Sequence, residues 1–98
     1  MEIVINHGVE MVVKLSGRLD TTTSPALDEK IKNEKIEENL VIIDFSELEY
    51  ISSAGLRLLL SLKKELDACG KTLEIHNIND VVKEVFEVTG FINILNIK

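Results

Sequence analysis

The sequence predicts an α/β domain in which a mixed sheet of four to five strands is covered by about three to four helices. Apolar residues alternate near the amino terminus, a continuous apolar run occupies Leu40–Ile43, and helical apolar stripes with capping residues separate the strand-like segments. The 98 residues, 45% of them hydrophobic, are enough for one core and too few for two. We therefore expect a single domain over residues 1–98 with the order β-β-α-β-α-β-α-β.

The first two strands are predicted to form a hairpin. Ile3 and Ile5, and then Met11, Val13 and Leu15, recur at every second residue, which places them on one face of two strands. Between them, Asn6-His7-Gly8 favours a tight turn because Asn and Gly accept positive φ at little cost. Residues 17–23 are rich in side chains that hydrogen-bond to their own backbone, which predicts a polar loop.

The first helix and the sheet centre follow this loop. Ser24 is predicted as an N-cap with Pro25 at the first helical position, where the missing N–H would have no partner in any case. Leu27 and Ile31 mark the apolar face of the helix, which extends to about Lys35 or Ile36. The uninterrupted apolar run Leu40–Ile43 is typical of a central strand covered on both sides.

The second helix is predicted to begin at Ser52 or Ser53 and to continue to about Cys69. Gly70 then occupies the position that favours a left-handed residue after a helix. Residues Lys71–His76 alternate between polar and apolar, which predicts a further strand on the same sheet.

The third helix is predicted to start after Asn77 or Asn79, either of which can cap it. Its apolar stripe lies within residues 81–86, and Gly90 followed by an aromatic residue resembles a helix C-terminal motif with its hydrophobic contact. Residues Ile94–Ile97 add a last short strand.

Charge and composition disfavour several classes of partner. The formal net charge of −6, from 17 acidic and 11 basic residues, repels phosphate backbones and anionic lipid surfaces. Tyr50 is the single tyrosine and tryptophan is absent, so stacking platforms for single-stranded nucleic acid are missing. The terminus Met1-Glu2 lacks the basic residues of a signal peptide, and no apolar run approaches the roughly 20 residues that span a bilayer. We expect a cytoplasmic protein without DNA, RNA or membrane partners.

Signatures of catalysis or metal binding are also absent from the sequence. Cys69 is the one cysteine, and no Cys/His group has zinc-ligand spacing. His7 and His76 lie in no nucleophile motif, and neither a Gly-x-Ser-x-Gly elbow nor a Gly-rich phosphate loop occurs. The sequence therefore predicts no catalytic residue, no cofactor and no metal, and favours a protein that is not an enzyme.

The segment Asp44–Arg57 is the most informative part of the chain. A buried strand is predicted to lead through a short loop that places Ser52, Ser53 and Gly55 at a helix N-terminus. Free N–H groups and the helix dipole favour an anion there by roughly 0.3–1 kcal/mol, so the fold could tolerate a phosphate on Ser53. Gly55 would let another backbone or a bulky partner group approach closely. A purely structural alternative is that one of the serines only caps the helix.

This segment resembles the signature of the STAS domain, or anti-sigma factor antagonist, family. Asp44-Phe45-Ser46 and Tyr50-Ile51-Ser52-Ser53-Ala54-Gly55-Leu56 follow the pattern that surrounds the family's regulatory serine. Leu15–Asp20 resembles the family's L-x-G-x-L-D loop, and Val88–Phe91 resembles its late helix-ending segment. The resemblance covers essentially the whole chain and implies a STAS-like fold.

The resemblance implies a partner-switching function. In the family, the serine that matches Ser53 is phosphorylated by a partner that is both an anti-sigma factor and a serine-protein kinase. The unphosphorylated protein binds that partner and so frees a sigma factor, which regulates transcription indirectly, and a phosphatase is expected to reset the serine. The partner-binding residues expected from the family pattern and from exposure beside the serine are Asp20, Thr21, Thr22, Ser52, Ser53, Ala54, Gly55, Leu56 and Leu60.

Three alternatives remain open at this level. Well-studied family members carry Asp before the regulatory serine and Ser or Thr after it, whereas this chain has Ser52 and Ala54, so Ser52 is a second candidate phosphate acceptor. Asp20 could equally be a turn-forming aspartate. The whole chain could also be a STAS scaffold or nucleotide-responsive binding module that works without phosphorylation.

Overall fold

The computed structural model describes residues 1–98 as one five-stranded sheet with three α-helices. The elements alternate in the order β-β-α-β-α-β-α-β, which confirms the predicted fold class. None of the helices is long and apolar enough to cross a bilayer. The strands are β1 (Glu2–Asn6), β2 (Met11–Leu19), β3 (Leu40–Ile51), β4 (Thr72–His76) and β5 (Asn96–Ile97); the helices are α1 (Ser24–Lys32), α2 (Ser53–Ala68) and α3 (Asp80–Thr89), and a 3₁₀ turn covers Phe91–Asn93.

The sheet has the spatial order β1-β2-β3-β4-β5. β1 and β2 form the predicted antiparallel hairpin, and every later pair is parallel. Each parallel connection carries a helix, as such crossovers require. The carboxyl ends of β2 and β3, at Leu19 and Ile51, therefore lie at one edge of the sheet, here called the carboxyl edge. The β1–β2 turn and the start of β3 at Leu40 lie at the opposite edge, here called the hairpin edge.

One face of the sheet carries the core. Met11 and Val13 of β2 lie beside Val41 and Ile43 of β3, and all four belong to a buried cluster of 20 residues to which the three helices contribute. Ile42 is also buried, at 9% exposure, but it lies outside that cluster.

The other face of the sheet has no helix packed on it. Ile42 lies between Val12 and Glu74 of the neighbouring strands, and the next position along pairs Lys14 with Asp44. β3 is therefore covered by helices on one face only, although Val41, Ile42 and Ile43 are all buried, as the apolar run predicts. On this face, Ile42 is shielded by Val12 and Glu74 of the adjacent strands and not by a packed helix. The apolar run of β3 is therefore unbroken although helices cover only one face of the sheet.

Strand lengths differ from the sequence prediction. β2 continues to Leu19, although residues 17–23 were predicted as a loop, and β3 continues for 12 residues to Ile51. The ladder between them persists through Ser16↔Glu47 and Arg18↔Tyr50, with two register irregularities on the way. Pairing between distant segments overrides the local turn preferences of these polar residues.

Helix termini agree with the predictions to within a few residues. α1 begins with Ser24 as its first helical residue, so Thr23 and not Ser24 is the N-cap, and the helix ends at Lys32. Ile36, predicted near the helix end, packs against the core from the following loop. Asn79 caps α3 by accepting a 2.8 Å hydrogen bond from Val82 N.

Left-handed residues occur at or near the predicted breaks. Gly90 closes α3 with φ 79°, and Gly70 has φ 74° just after α2. Asn77, the other capping candidate, is the non-glycine residue with positive φ, at 63°. These positions end elements because a left-handed residue turns the chain out of the helix or strand path.

Candidate functional site

The Asp20 loop and the start of α2 meet at the carboxyl edge. Leu19 and Ile51 are paired at the ends of β2 and β3, and Ser52 N donates a 2.9 Å hydrogen bond to Leu19 O. The loop Asp20–Thr23 therefore leaves one strand next to the point where Ser52 and Ser53 leave the other. The structure brings together two segments that are about 30 positions apart in the sequence.

The two serines occupy different positions at the helix start. Ser52 is the N-cap of α2, is half-buried, and its Oγ accepts a 3.4 Å hydrogen bond from Gly55 N. Ser53 is the first helical residue, is exposed, and its hydroxyl makes no hydrogen bond within the chain. The capping role that the sequence left open falls to Ser52, and the free hydroxyl belongs to Ser53.

Gly55 is buried against Leu19 and Ile51, at the ends of β2 and β3. A Cβ at this position would lie 2.8 Å from Ile51 Cγ1, 2.9 Å from Leu19 Cγ and 3.0 Å from Leu19 O. The close approach predicted for Gly55 is therefore made by Leu19 and Ile51 of the same molecule. Leu56 is 2% exposed and belongs to the core. The structure gives both residues a packing role inside the chain.

The outer face of α2 presents a short mixed surface. Ser53, Arg57 and Leu60 lie at i, i+4 and i+7, which places them on one stripe of the helix. Ser53 and Arg57 are exposed, and Leu60 is half-buried, as is Ala54. Leu59 is fully buried, so of the three consecutive leucines it is Leu58 and Leu60 that remain partly accessible.

Asp20 organises its own loop through hydrogen bonds. Asp20 Oδ1 accepts hydrogen bonds from Thr22 N at 3.0 Å and Thr23 N at 3.1 Å. The backbone Asp20 O accepts from Ser24 Oγ at 2.6 Å. The Thr23 N–H bond is the main cause of the lowered pKa of the Asp20 carboxyl. Thr21 and Thr22 are exposed at the tip of the loop.

Two residues beside this loop were not identified from the sequence. The Arg18 guanidinium lies 4.5 Å from the centre of the Tyr50 ring, and Arg18 Nε is 3.9 Å from Asp20 Oδ2. Arg18 and Tyr50 face each other because they are register partners on β2 and β3. No local pattern marks such a pair, since the two residues are 32 positions apart and meet only in the sheet.

The groups that could support catalysis or metal binding lie elsewhere or are absent. His7 is in the β1–β2 turn at the hairpin edge, where its Nδ1 lies 2.8 Å from Glu38 Oε2. His76 Nε2 is 2.9 Å from Glu74 Oε1. The chain contains no group of three or more His, Cys, Asp or Glu residues placed to hold a metal ion. Cys69 is a free, exposed thiol at the end of α2.

Comparisons with known proteins agree with one another. The family model described as STAS domain matches residues 1–98. An anti-sigma-B factor antagonist of Listeria monocytogenes is 29% identical over 85 residues, which cover 86% of this chain and 75% of that protein. BtrV of Bordetella bronchiseptica, described provisionally as an anti-sigma factor antagonist, is 42% identical over 57 residues. That stretch covers 58% of this chain and 49% of BtrV, about half of its length.

Solved structures share the fold. The anti-sigma factor antagonist SpoIIAA in its unphosphorylated form superposes with a TM-score of 0.83 at 22% identity, covering 99% of this chain and 88% of that one. The phosphorylated form of SpoIIAA from Bacillus gives a TM-score of 0.73 at 21% identity, covering 99% and 91%. At this level of identity the likeness concerns the architecture alone.

Proposed function

The chain belongs to the STAS domain family, and from this premise we propose that it is a cytoplasmic anti-sigma factor antagonist switched by phosphorylation of Ser53. Unphosphorylated, it binds an anti-sigma factor that is also a serine-protein kinase, and so releases a sigma factor. The kinase phosphorylates Ser53 and the complex separates, and a phosphatase restores the serine. The observation that carries the proposal is the free, exposed Ser53 hydroxyl at the first turn of α2.

The accessible residues around Ser53 supply a docking surface. Thr21 and Thr22 lie at the tip of the adjacent loop, and Leu60 provides apolar area two turns along α2. Such a mixture of one apolar anchor and a polar rim is typical of protein interfaces. The surface proposed for the partner consists of Asp20, Thr21, Thr22, Ser52, Ser53, Ala54 and Leu60, with Gly55 and Leu56 supporting it from below.

Phosphorylation would release the partner by electrostatics and desolvation. A phosphate adds about −1.5 to −2 charges, and the N-terminus of α2 offsets part of that charge within the protein. Burying the phosphate unpaired in an interface costs roughly 2–5 kcal/mol. Each 1.4 kcal/mol is about a tenfold loss of affinity. Even a cost of about 2 kcal/mol therefore dissociates most of the complex at fixed concentration. No refolding of the domain is required.

Phosphosite mapping tests the proposal. The chain is isolated from its own cells, and the peptide spanning Glu49–Arg57 is examined by mass spectrometry for phosphate. Ser53→Ala is expected to abolish the label, whereas the matched variant Ser52→Ala retains it, because Ser52 Oγ is engaged in the helix cap. If the phosphate is still present in Ser53→Ala and is absent in Ser52→Ala, the phosphorylated residue is Ser52. A chain that is never phosphorylated, under growth or stress, contradicts the switch and favours the scaffold alternative.

A further inference from the structure

We propose that Asp20 is a positioning residue, which holds the Thr21–Thr22 tip against the start of α2 as a hydrogen-bond acceptor and not through its charge. The inference rests on the proposed function, because it assigns the polar contact with the anti-sigma factor to the hydroxyls of Thr21 and Thr22. The partner surface it fits is a set of neutral hydrogen-bonding groups facing that tip.

The hydrogen bonds of the Asp20 carboxylate point into its own loop. Oδ1 accepts from the backbone N–H groups of Thr22 and Thr23 at 3.0 and 3.1 Å. Oδ2 makes no hydrogen bond, and the nearest cation, Arg18 Nε, is 3.9 Å away. The Asp20 side chain is 31% exposed, against 60% for Arg18. One oxygen is thus committed to the loop before any partner arrives.

The rest of the loop is closed by hydroxyl groups. Thr23 Oγ1 accepts from Asp20 N at 2.9 Å and lies 2.8 Å from Arg18 O and 3.2 Å from Asp20 Oδ1. A hydroxyl has one proton to donate, and the shorter distance assigns it to Arg18 O. Ser24 Oγ donates to Asp20 O at 2.6 Å. The hydroxyls of Thr23 and Ser24 are therefore engaged in hydrogen bonds within the loop. The loop hydroxyls that remain free are those of Thr21 and Thr22.

The loop and the helix start form one mechanical unit. Ser52 N donates to Leu19 O, the carbonyl immediately before Asp20, at 2.9 Å. The same carbonyl would lie 3.0 Å from a Cβ at Gly55. A loop that is fixed relative to Leu19 is consequently fixed relative to Ser53. Preorganisation of this kind improves affinity because less ordering is required on binding.

Paired substitutions separate the acceptor role from the charge. Asp20→Asn keeps a carbonyl oxygen that can accept from Thr22 N and Thr23 N and removes the charge, whereas Asp20→Ala removes both. Amide hydrogen exchange of the isolated chain is expected to accelerate at Thr22 and Thr23 in Asp20→Ala and to remain close to wild type in Asp20→Asn. This measurement does not depend on any partner.

Binding to the purified anti-sigma factor kinase of the same cells provides the second measurement. Asp20→Ala is expected to lose about tenfold in affinity and Asp20→Asn no more than about threefold. The double variant Thr21→Val, Thr22→Val is expected to lose affinity comparably while its exchange protection at residues 22 and 23 is retained. Asp67→Ala, which removes one negative charge at the far end of α2, serves as the charge control and is expected to bind as the wild type does.

The measurements test the positioning role of Asp20 and the proposed function separately. Equal loss of affinity in Asp20→Asn and Asp20→Ala overturns the inference, because the charge is then the contact. Unchanged exchange in Asp20→Ala, or full affinity in the threonine double variant, overturns it as well. A wild-type chain that does not bind the kinase refutes the proposed function, and the exchange comparison still decides whether Asp20 positions the loop.

Discussion

The two edges of the sheet are held together by different chemistry. At the carboxyl edge, the Asp20 loop and the start of α2 are joined by backbone and hydroxyl hydrogen bonds and by the tight contact of Gly55 with Leu19. At the hairpin edge, the β1–β2 turn is joined to the segment before β3 by His7 and Glu38. The geometry at the carboxyl edge therefore varies little near neutral pH. The contact at the hairpin edge depends on the His7 imidazole, a group that changes charge in that pH range.

Glu38 is the centre of the hairpin edge. Its side chain is 7% exposed, and Oε2 accepts from Gly8 N at 3.2 Å and lies 2.8 Å from His7 Nδ1. Lys71 Nζ donates to the Glu38 backbone O at 2.8 Å, which adds the start of β4 to the same junction. Three chain segments that are distant in sequence therefore meet at one residue.

The largest difference between the edges is expected for an added methyl group. Gly55→Ala places a Cβ within 3.0 Å of three atoms, one of them the Leu19 backbone oxygen, whereas Gly8→Ala meets only Glu10 O at 3.7 Å. We expect Gly55→Ala to lower the free energy of unfolding by about 1–3 kcal/mol through overpacking, and Gly8→Ala to have little effect. Urea denaturation of both variants measures this. Equal stability of the two would contradict the close packing of α2 on β2.

A smaller difference is expected between the two serines at the carboxyl edge. Ser52→Ala removes the N-cap acceptor of Gly55 N and is expected to cost about 0.5–2 kcal/mol of stability. Ser53→Ala removes an exposed hydroxyl without a partner in the chain and is expected to change stability by less than about 0.5 kcal/mol. Thermal melts at one pH compare the two directly. If Ser53→Ala is the more destabilising, the assignment of the cap to Ser52 is wrong.

The smallest expected effect is a pH dependence that belongs to the hairpin edge. The hydrogen bond to Glu38 raises the pKa of His7, so the folded state holds the proton more tightly than the unfolded state does. The resulting stabilisation is fully present below the unfolded value, about 6.5, and is lost as the pH rises through the higher folded value. The pKa of Glu38 is lowered, by its own backbone N–H first and then by His7 and Gly8. Its contribution is present above about 4.3 and is lost as the pH falls through the lower folded value.

His7→Ala is the variant that tests this pH dependence. The difference in unfolding free energy between wild type and His7→Ala is expected to be larger at about pH 5.5 than at about pH 8, because the protonated imidazole pairs with Glu38. Denaturation at the two pH values gives that difference with other titrations cancelled. Glu37→Ala, at an exposed neighbouring carboxylate, is the control and is expected to leave the pH dependence as it is in the wild type. A pH dependence that His7→Ala does not alter would show that the charge of protonated His7 contributes nothing to stability.

The sequence determined what depends on neighbours along the chain. The alternation in β1 and β2, a cap at Ser52 or Ser53, a cap at Asn77 or Asn79 and the turn at Gly90 follow from side chains within four positions of one another. The structure contains one cap of each pair, at Ser52 and Asn79, together with the alternation and the turn. The element order follows from these signals in turn. The segment around Ser53 was recognisable for the same reason, since its motif is contiguous.

Only the tertiary structure decided what depends on residues far apart in the chain. The length of β3 and the Arg18–Tyr50 pair arise from pairing between β2 and β3. The coverage of β3 on one face and the burial of Gly55 against Leu19 arise from the packing of the helices on the sheet. Whether Ser52 or Ser53 keeps a free hydroxyl was likewise set by the exact residue at which β3 ends and α2 begins. Ladder hydrogen bonds and side-chain packing between distant segments outweigh local preferences, and a local pattern contains no information about which distant segment will supply them.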